Sequence, residues 1–267
     1  MPNHKYFANG CGDFVLDKTV CNNKICLIHC DYLQPEYSSK KNNEQYYEFS
    51  KIACCSDSVK NRFLQVSGFD ENKVFTLRNF YDLTITTKTN ESALEYDKQF
   101  INLVTIARLS KEKGVDRAIN ALYESGRQDI RYYVIGDGPQ KTELLNKIKE
   151  YNLCEQVFMM GEKQNPYGFM VDADYIFVPS IHEAAPMVFD EAKVLGVPII
   201  ATETTSAREM LEEEDKIVQN SPEGLLATFA FLEKRNKGII REINNDLQRS
   251  QFKIVLEEKE NDKRICK

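Results

Sequence analysis

Two glutamates separated by seven residues, Glu183 and Glu191, stand in the stretch SIHEAAPMVFDEAKVLGVPII. Proline suits the first turn of a helix and drives the preceding residue into extended backbone, so a helix is expected to start at Pro186 with Ala185 extended. The N–H groups of Met187 and Val188 then point out of the helix N-terminus, a place that suits an anionic or hydroxyl-rich ligand. Glu191 lies about 7 Å further along the axis, at about 1.5 Å per residue. Two carboxylates so placed can accept hydrogen bonds from two separate groups of hydroxyls on one ligand. Taken alone, they read more readily as a solvated loop carboxylate and an ordinary helix-surface residue.

A second cluster is ARLSKEKGVDRAINAL, where Arg108 and Lys113 follow an apolar run and precede an amphipathic one. Arginine offers a planar fork for phosphate oxygens and lysine a mobile point charge, so the two can hold a diphosphate in an arrangement that requires no metal. Lys111 competes with Lys113 for this role, and solvated loop cations are the plainer reading. In IGDGPQ, Gly136 and Gly138 allow a tight turn and a close approach of backbone to a ligand. The third glycine of a dinucleotide fingerprint is missing, as is a suitably spaced acidic residue for ribose, which excludes a nicotinamide dehydrogenase.

These residues need a scaffold, and the sequence supplies one. From about residue 100, short apolar runs (INLVTIARL, RYYVIG, QVFMMG, ADYIFVPS, VPIIAT, KIVQ) alternate with stretches of helical periodicity (VDRAINALYESG, QKTELLNKIKEYN, MVFDEAKVLG, SAREMLEEE, PEGLLATFAFLEKRN). Strands separated by single helices imply a parallel, doubly wound α/β sheet with helices on both faces, so loops after the strands share one edge. The first 83 residues follow the same grammar less regularly. KICLIH, KIACCS and KVFTLRN read as strands, and SDSVKNRFLQVSG as a helix capped by Ser56 or Asp57 and ended by Gly68. Residues 84–99 read as a polar linker, 100–240 as the main domain and 241–267 as a C-terminal helix with a charged tail. A complete doubly wound domain usually needs at least about 120 residues, so 1–83 reads as a partial one.

Composition narrows the class. Hydrophobic residues make up 42% and charged residues 28%, ordinary for a globular protein, and the net charge of -6 argues against a nucleic-acid partner. No apolar run approaches the roughly 18 to 20 residues of a membrane-spanning helix, and the N-terminus lacks the apolar core of a secretory signal. The spacings of Cys11, Cys21, Cys26 and Cys30 match no common zinc site, and Cys54–Cys55 sit in an apolar run. Reduced thiols and no export signal point to the cytoplasm.

In this order and spacing, ARLSKEKGVDRAINAL, VIGDGP, VFMMGE, DADYIFVPSIHEAAPMVFDEAKVLGVPIIAT and SAREML resemble the donor-binding domain of family 4 glycosyltransferases, retaining enzymes of the GT-B fold that use nucleotide-diphosphate sugars. KICLIHCDYL and YYEFSKIACCSDSVKNRF through LRNFYD resemble the late part of the family's N-terminal, acceptor-side domain. The resemblance implies that Arg108 and Lys113 hold the donor diphosphate and that Glu183 contacts the transferred sugar near its reacting carbon. It assigns Glu191 to the ribose hydroxyls and the loop of Gly161, Glu162 and Lys163 to the base. His29, in LIHCD, would approach the sugar from the acceptor side as a second catalytic residue. Where many members carry glycine after the first glutamate, this chain has Ala184, Ala185 and Pro186, which implies retained donor binding with an altered sugar fit.

The expected function is therefore transfer of a sugar from a nucleotide-diphosphate donor such as a UDP sugar to a saccharide or lipid-linked acceptor in cell-surface polysaccharide synthesis, without a cofactor. The competing expectation is a non-catalytic donor-binding module, or a subunit completed by a second chain. A sugar-nucleotide epimerase is a third. Membrane contact is expected to be peripheral at most, at the inner face.

Overall fold

The computed structural model describes residues 4–6, 16, 24–29, 46–81, 93–230, 232–234, 245–246 and 248–250. The chain divides into two compact units. One comprises Met1–Phe80, Glu183–Ala185 and Asn244–Lys267; the other comprises Tyr81–His182 and Pro186–Ile243. Cys11, Cys21, Cys30 and Cys266 lie outside the described residues, as do 82–92 of the linker region and most of the C-terminal stretch.

The first unit holds a parallel sheet in the order β1 (His4–Tyr6), β2 (Ile25–Ile28), β3 (Lys51–Cys54), β4 (Val74–Thr76). Helix α1 (Asp57–Ser67) crosses from β3 to β4. Ser56 is its cap: the hydroxyl accepts the Val59 N–H at 3.2 Å, and Gly68 in the left-handed region ends the helix. Val59 and Phe63 thereby face a core of Cys26, Ile28, Tyr46, Phe49, Ile52 and Cys54, in which the Tyr46 and Phe63 rings meet edge to face. Strand β1 was not anticipated, because three residues of sequence HKY carry no periodic apolar signal.

The second unit is a six-stranded parallel sheet of β5 (Ile101–Ile106), β6 (Ile130–Ile135), β7 (Val157–Gly161), β8 (Tyr175–Val178), β9 (Ile199–Thr202) and β10 (Lys216–Val218). Their spatial order is β10-β9-β8-β5-β6-β7. This is the doubly wound order, with β5 between β6 and β8 at the point where the winding reverses. Helices cover both faces, which is why β8 and β9 are buried throughout. On one face α2 (Val115–Ser125), α3 (Lys141–Glu150) and α7 (Pro222–Ala230) contribute Ala118, Leu122, Leu144, Leu225 and Phe229 to the core. On the other, α4 (Tyr167–Met170), α5 (Met187–Leu195) and α6 (Ala207–Met210) contribute Phe169, Phe189, Ala192 and Ala207.

Three local details differ from the expectation. Helix α5 begins at Met187, one residue late, because Pro186 is extended (ψ 121°) and serves as the cap. The helix expected across SAREMLEEE stops after one turn, where Asp215 accepts the Glu212 N–H at 3.1 Å and that of Ile199 at 3.0 Å. Ala93–Gln99 packs into this unit: Tyr96 is buried, its hydroxyl donates to the Phe169 carbonyl, and the Ala93 N–H donates to that of Gly168. Buried Asp174 in turn accepts the Asn102 backbone N–H at 2.8 Å, fixing the start of β8 beside β5. Among the described residues no helix is long and apolar enough to cross a membrane.

Candidate functional site

At the carboxyl ends of β5 and β8 the sheet of the second unit diverges, and in open α/β sheets such a reversal leaves a crevice for ligand. The loop after β5 carries Arg108, exposed, and Lys113, half-buried at the end of a single 3₁₀ turn. Its backbone is pinned to the turn after β6. Ala107 N–H donates to Ile135, Leu109 N–H to Asp137, and Gln140 N–H back to Leu109, at 2.9 to 3.1 Å. Gly136 and Gly138 make this possible: a Cβ at Gly136 would lie 1.9 Å from the Ala107 carbonyl oxygen, and one at Gly138 2.5 Å from that of Leu109. Both glycines thus admit a close approach of the 107–109 backbone. Asp137 closes the turn, accepting from Lys141 and from the Gly138 N–H, which hold its carboxyl below the usual range.

The exit of β8 is tied to the same loop. The Ile181 N–H donates to the Glu112 carbonyl at 2.8 Å, and the bare Cα of Gly114 lies under the Pro179 carbonyl. Asn220, after β10, completes the tie. Its amide nitrogen donates to the carbonyls of Ile181 (2.9 Å) and Glu203 (3.1 Å), while its oxygen accepts from Arg117 of α2 at 2.8 Å. Carbonyls around one end and a guanidinium at the other fix which way the amide points. Asn220→Asp is expected to be worse than Asn220→Ala, because it turns a second acceptor toward those carbonyls. Urea denaturation should show Asp below Ala by about 1 kcal/mol or more; the reverse order would show that this amide orientation does not matter.

Glu112 is a participant that sequence reading did not single out. Burial works to raise its pKa, but the Ser110 hydroxyl at 2.5 Å, its own backbone N–H and the charges of Lys113 and Arg108 outweigh that and lower it. Arg108 and Lys113 therefore share one local field with a carboxylate between them in sequence. An acidic residue between two candidate phosphate ligands carries no sequence signal beyond its charge.

Glu191 lies half-buried on α5, where the Tyr167 hydroxyl donates to its Oε1 at 3.1 Å. Burial raises its pKa above the usual carboxylate value, Tyr167 partly offsets this, and neighbouring Asp190 adds to it. Met187 and Val188 occupy the first turn of α5, where N–H groups have no acceptor within the helix. Gly161, at φ 70°, ends β7 and accepts the Gly136 N–H at 2.9 Å; Glu162 and Lys163 follow as exposed residues. Lys163 stands 5.6 Å from the centre of the Phe169 ring.

Glu183 and Ala185 group with the first unit, whereas Pro186 through Glu191 belong to the second. Within the first unit Ala184 is a core residue whose carbonyl accepts from the Ser56 hydroxyl at 3.0 Å, and the Ala185 carbonyl accepts from Asn79 at 3.3 Å. The Ala184 methyl is thus used for packing. His29 follows β2 with part of its ring exposed, and burial of the rest lowers its imidazole pKa.

The profile of one family, Glycosyl transferases group 1, matches residues 86–253. The amylovoran biosynthesis glycosyltransferase AmsD of Erwinia amylovora is 26% identical over 205 residues, 73% of this chain and 56% of its own. The O-antigen biosynthesis glycosyltransferase WclY of Escherichia coli is 27% identical over 171 residues, 62% of this chain and 46% of its own. The chain spans about half the length of these curated relatives. Among solved structures, Anabaena HepE in complex with UDP superposes with a TM-score of 0.66 at 20% identity, covering 78% of this chain and 62% of that one. The fold is accordingly of the GT-B type, built from Rossmann-like parallel sheets. A match over residues 86–253, carried by a doubly wound parallel sheet, makes this chain a member of the group 1 glycosyl transferases.

Proposed function

We propose that the chain serves a glycosyltransferase that moves a hexose-type sugar from a nucleotide diphosphate to a saccharide or lipid-linked acceptor with retention at the anomeric carbon. The observation that carries this reading is the knitting of the Arg108–Gly114 loop to the β8 exit at the sheet's winding reversal. Arg108 and Lys113 stabilise the charge that develops on the departing diphosphate, usually the largest catalytic contribution in such a site, and no metal is needed. Glu183 orients the sugar and favours the oxocarbenium-like transition state. As the bond from the anomeric carbon to the diphosphate oxygen breaks, the acceptor oxygen joins on the same face, with His29 on the acceptor side. Glu191 takes the ribose hydroxyls, the N–H groups of Met187 and Val188 the donor sugar, and the Gly161–Lys163 loop the base.

HepE was solved with UDP, so uridine donors are the first to test. The named relatives act in amylovoran and O-antigen biosynthesis, which supports a cell-surface polysaccharide role. A panel of nucleotide sugars should contain one that raises the melting temperature, since ligand at about 100 times its Kd adds about 2.7 kcal/mol. With an acceptor, NMR of the product should show the donor's anomeric configuration. Inversion would overturn the retaining assignment, and a panel without any stabilising member would overturn donor binding. Stabilisation without transfer would identify a donor-binding module that works with a second chain.

A further inference from the structure

We propose that Tyr167 is a positioning residue for the donor site, locking the Glu191 carboxylate in place and coupling it to the loop after β7. The proposal rests on the assignment of Glu191 to ribose and goes beyond it by naming what presents that carboxylate.

A glutamate side chain loses rotamer freedom when it is ordered, so one held in place beforehand binds its ligand more tightly. Tyr167 supplies the hold through its 3.1 Å hydrogen bond to Oε1, across 24 positions of sequence. Each carboxylate oxygen has two lone pairs, so both oxygens keep capacity for ligand hydroxyls.

The turn of helix that carries Tyr167 is anchored at three consecutive residues. The Tyr167 N–H donates to the Asn165 side chain at 3.1 Å, which fixes the turn from the Gly161–Pro166 loop into α4. The Gly168 carbonyl accepts from the Ala93 N–H at 2.8 Å, and that of Phe169 from buried Tyr96. Helix α4 is only one turn long, so these ties rather than its own hydrogen bonds keep the phenol in place. A short rigid path therefore runs from the loop assigned to the base, through Asn165 and Tyr167, to the carboxylate assigned to ribose.

Among the described residues, Tyr167 and Asp190 are the groups that act on the charge of Glu191. Tyr167 faces it from α4, and Asp190 adjoins it on α5, where its negative charge disfavours ionisation. Lys193, further along the helix, is directed to the Met210 carbonyl and to Glu212. With burial and Asp190 acting against the ionised form, the Tyr167 phenol is the contact that supports it. Without that hydroxyl the carboxylate protonates at higher pH, and its capacity to accept ribose hydroxyls fades over the same range.

The test compares the parent with Tyr167→Phe and Glu191→Gln in two measurements. The first is the NMR titration of the Glu191 carboxyl, assigned by its absence in Glu191→Gln; no nucleotide is needed. Tyr167→Phe should move this titration to higher pH, and an unmoved titration overturns the proposal. The second is UDP affinity by calorimetry between pH 5 and 8. Tyr167→Phe should weaken binding about tenfold at the acidic end and less at pH 8, with at most a small fall in melting temperature. Parent-like affinity at every pH overturns the positioning role even if the titration moves. If Glu191→Gln binds UDP as the parent does while Tyr167→Phe still shifts the titration, the ribose assignment fails and the phenol–carboxylate lock stands alone.

Discussion

Replacing Arg108 by alanine is expected to reduce sugar transfer by about a hundred- to a thousandfold while leaving the melting temperature of the chain unchanged. Arg108 is exposed and contributes nothing to either face of the sheet, so its removal costs no core packing. Its expected contribution is electrostatic. A preorganised donor aimed at charge that develops only in the transition state is worth about 3 to 4 kcal/mol when removed, which converts to that range of rates. Arg108→Lys should recover part of the loss, since the charge remains while the two-pronged geometry is lost. Glu183→Ala should fall at least as far. The measurement is single-turnover transfer with the donor found in the nucleotide-sugar panel. Rates within twofold of the parent for both alanine variants would refute the assignment of the two residues. Lys113→Ala should cost less in rate than Arg108→Ala, because a mobile point charge holds phosphate oxygens less specifically than a two-pronged guanidinium.

The largest stability loss should come from Gly114→Ala. Gly114 has φ 65°, and an added Cβ would lie 2.1 Å from the Pro179 carbonyl oxygen, a backbone atom that cannot rotate away. Gly126, at the other end of α2, has φ 64° and nothing within 4 Å of such a Cβ. The pair separates two effects that are usually confounded. Gly126→Ala meets only the cost of left-handed backbone, about 1 to 2 kcal/mol. Gly114→Ala meets that and must also push β8's exit away from the Arg108–Gly114 loop, for a total of about 4 kcal/mol or more, the range of exceptional single substitutions. Urea denaturation of both variants is the measurement. Equal losses would mean that the contact between Gly114 and Pro179 is not a constraint. UDP binding should also fail in Gly114→Ala at temperatures where the variant is still folded, since the displaced segments carry the proposed diphosphate ligands.

The two expectations draw on different information. That Arg108 and Lys113 stand at a strand end was readable from INLVTIARLSKEKG, because a six-residue apolar run must stop where charges begin. Nothing in that stretch says that the neighbour of β5 is β8, which begins sixty-nine positions after its end. Tyr167, Asn220 and Asp174 escaped notice for a related reason. Each does its work through partners 24, 39 and 72 positions away, at Glu191, Ile181 and Asn102 respectively. A tyrosine, an asparagine or an aspartate has no local periodicity that reports such a partner. Gly136 and Gly138 are the converse: their types signalled close approach, but only the fold identified the visitor as the 107–109 backbone.

Secondary structure, the parallel doubly wound class and the family resemblance were set by local information: apolar period, caps such as Ser56 and Gly68, and motifs in order. These depend on steric and hydrophobic preferences that act within a few residues, so they are written in contiguous sequence. Strand order, the seating of Gly114 under Pro179, the tie through Asn220 and the phenol beside Glu191 were decided by tertiary packing alone. Hydrogen bonds and van der Waals contacts act over about 3 to 4 Å, so which distant residues meet is known only after the sheet has assembled.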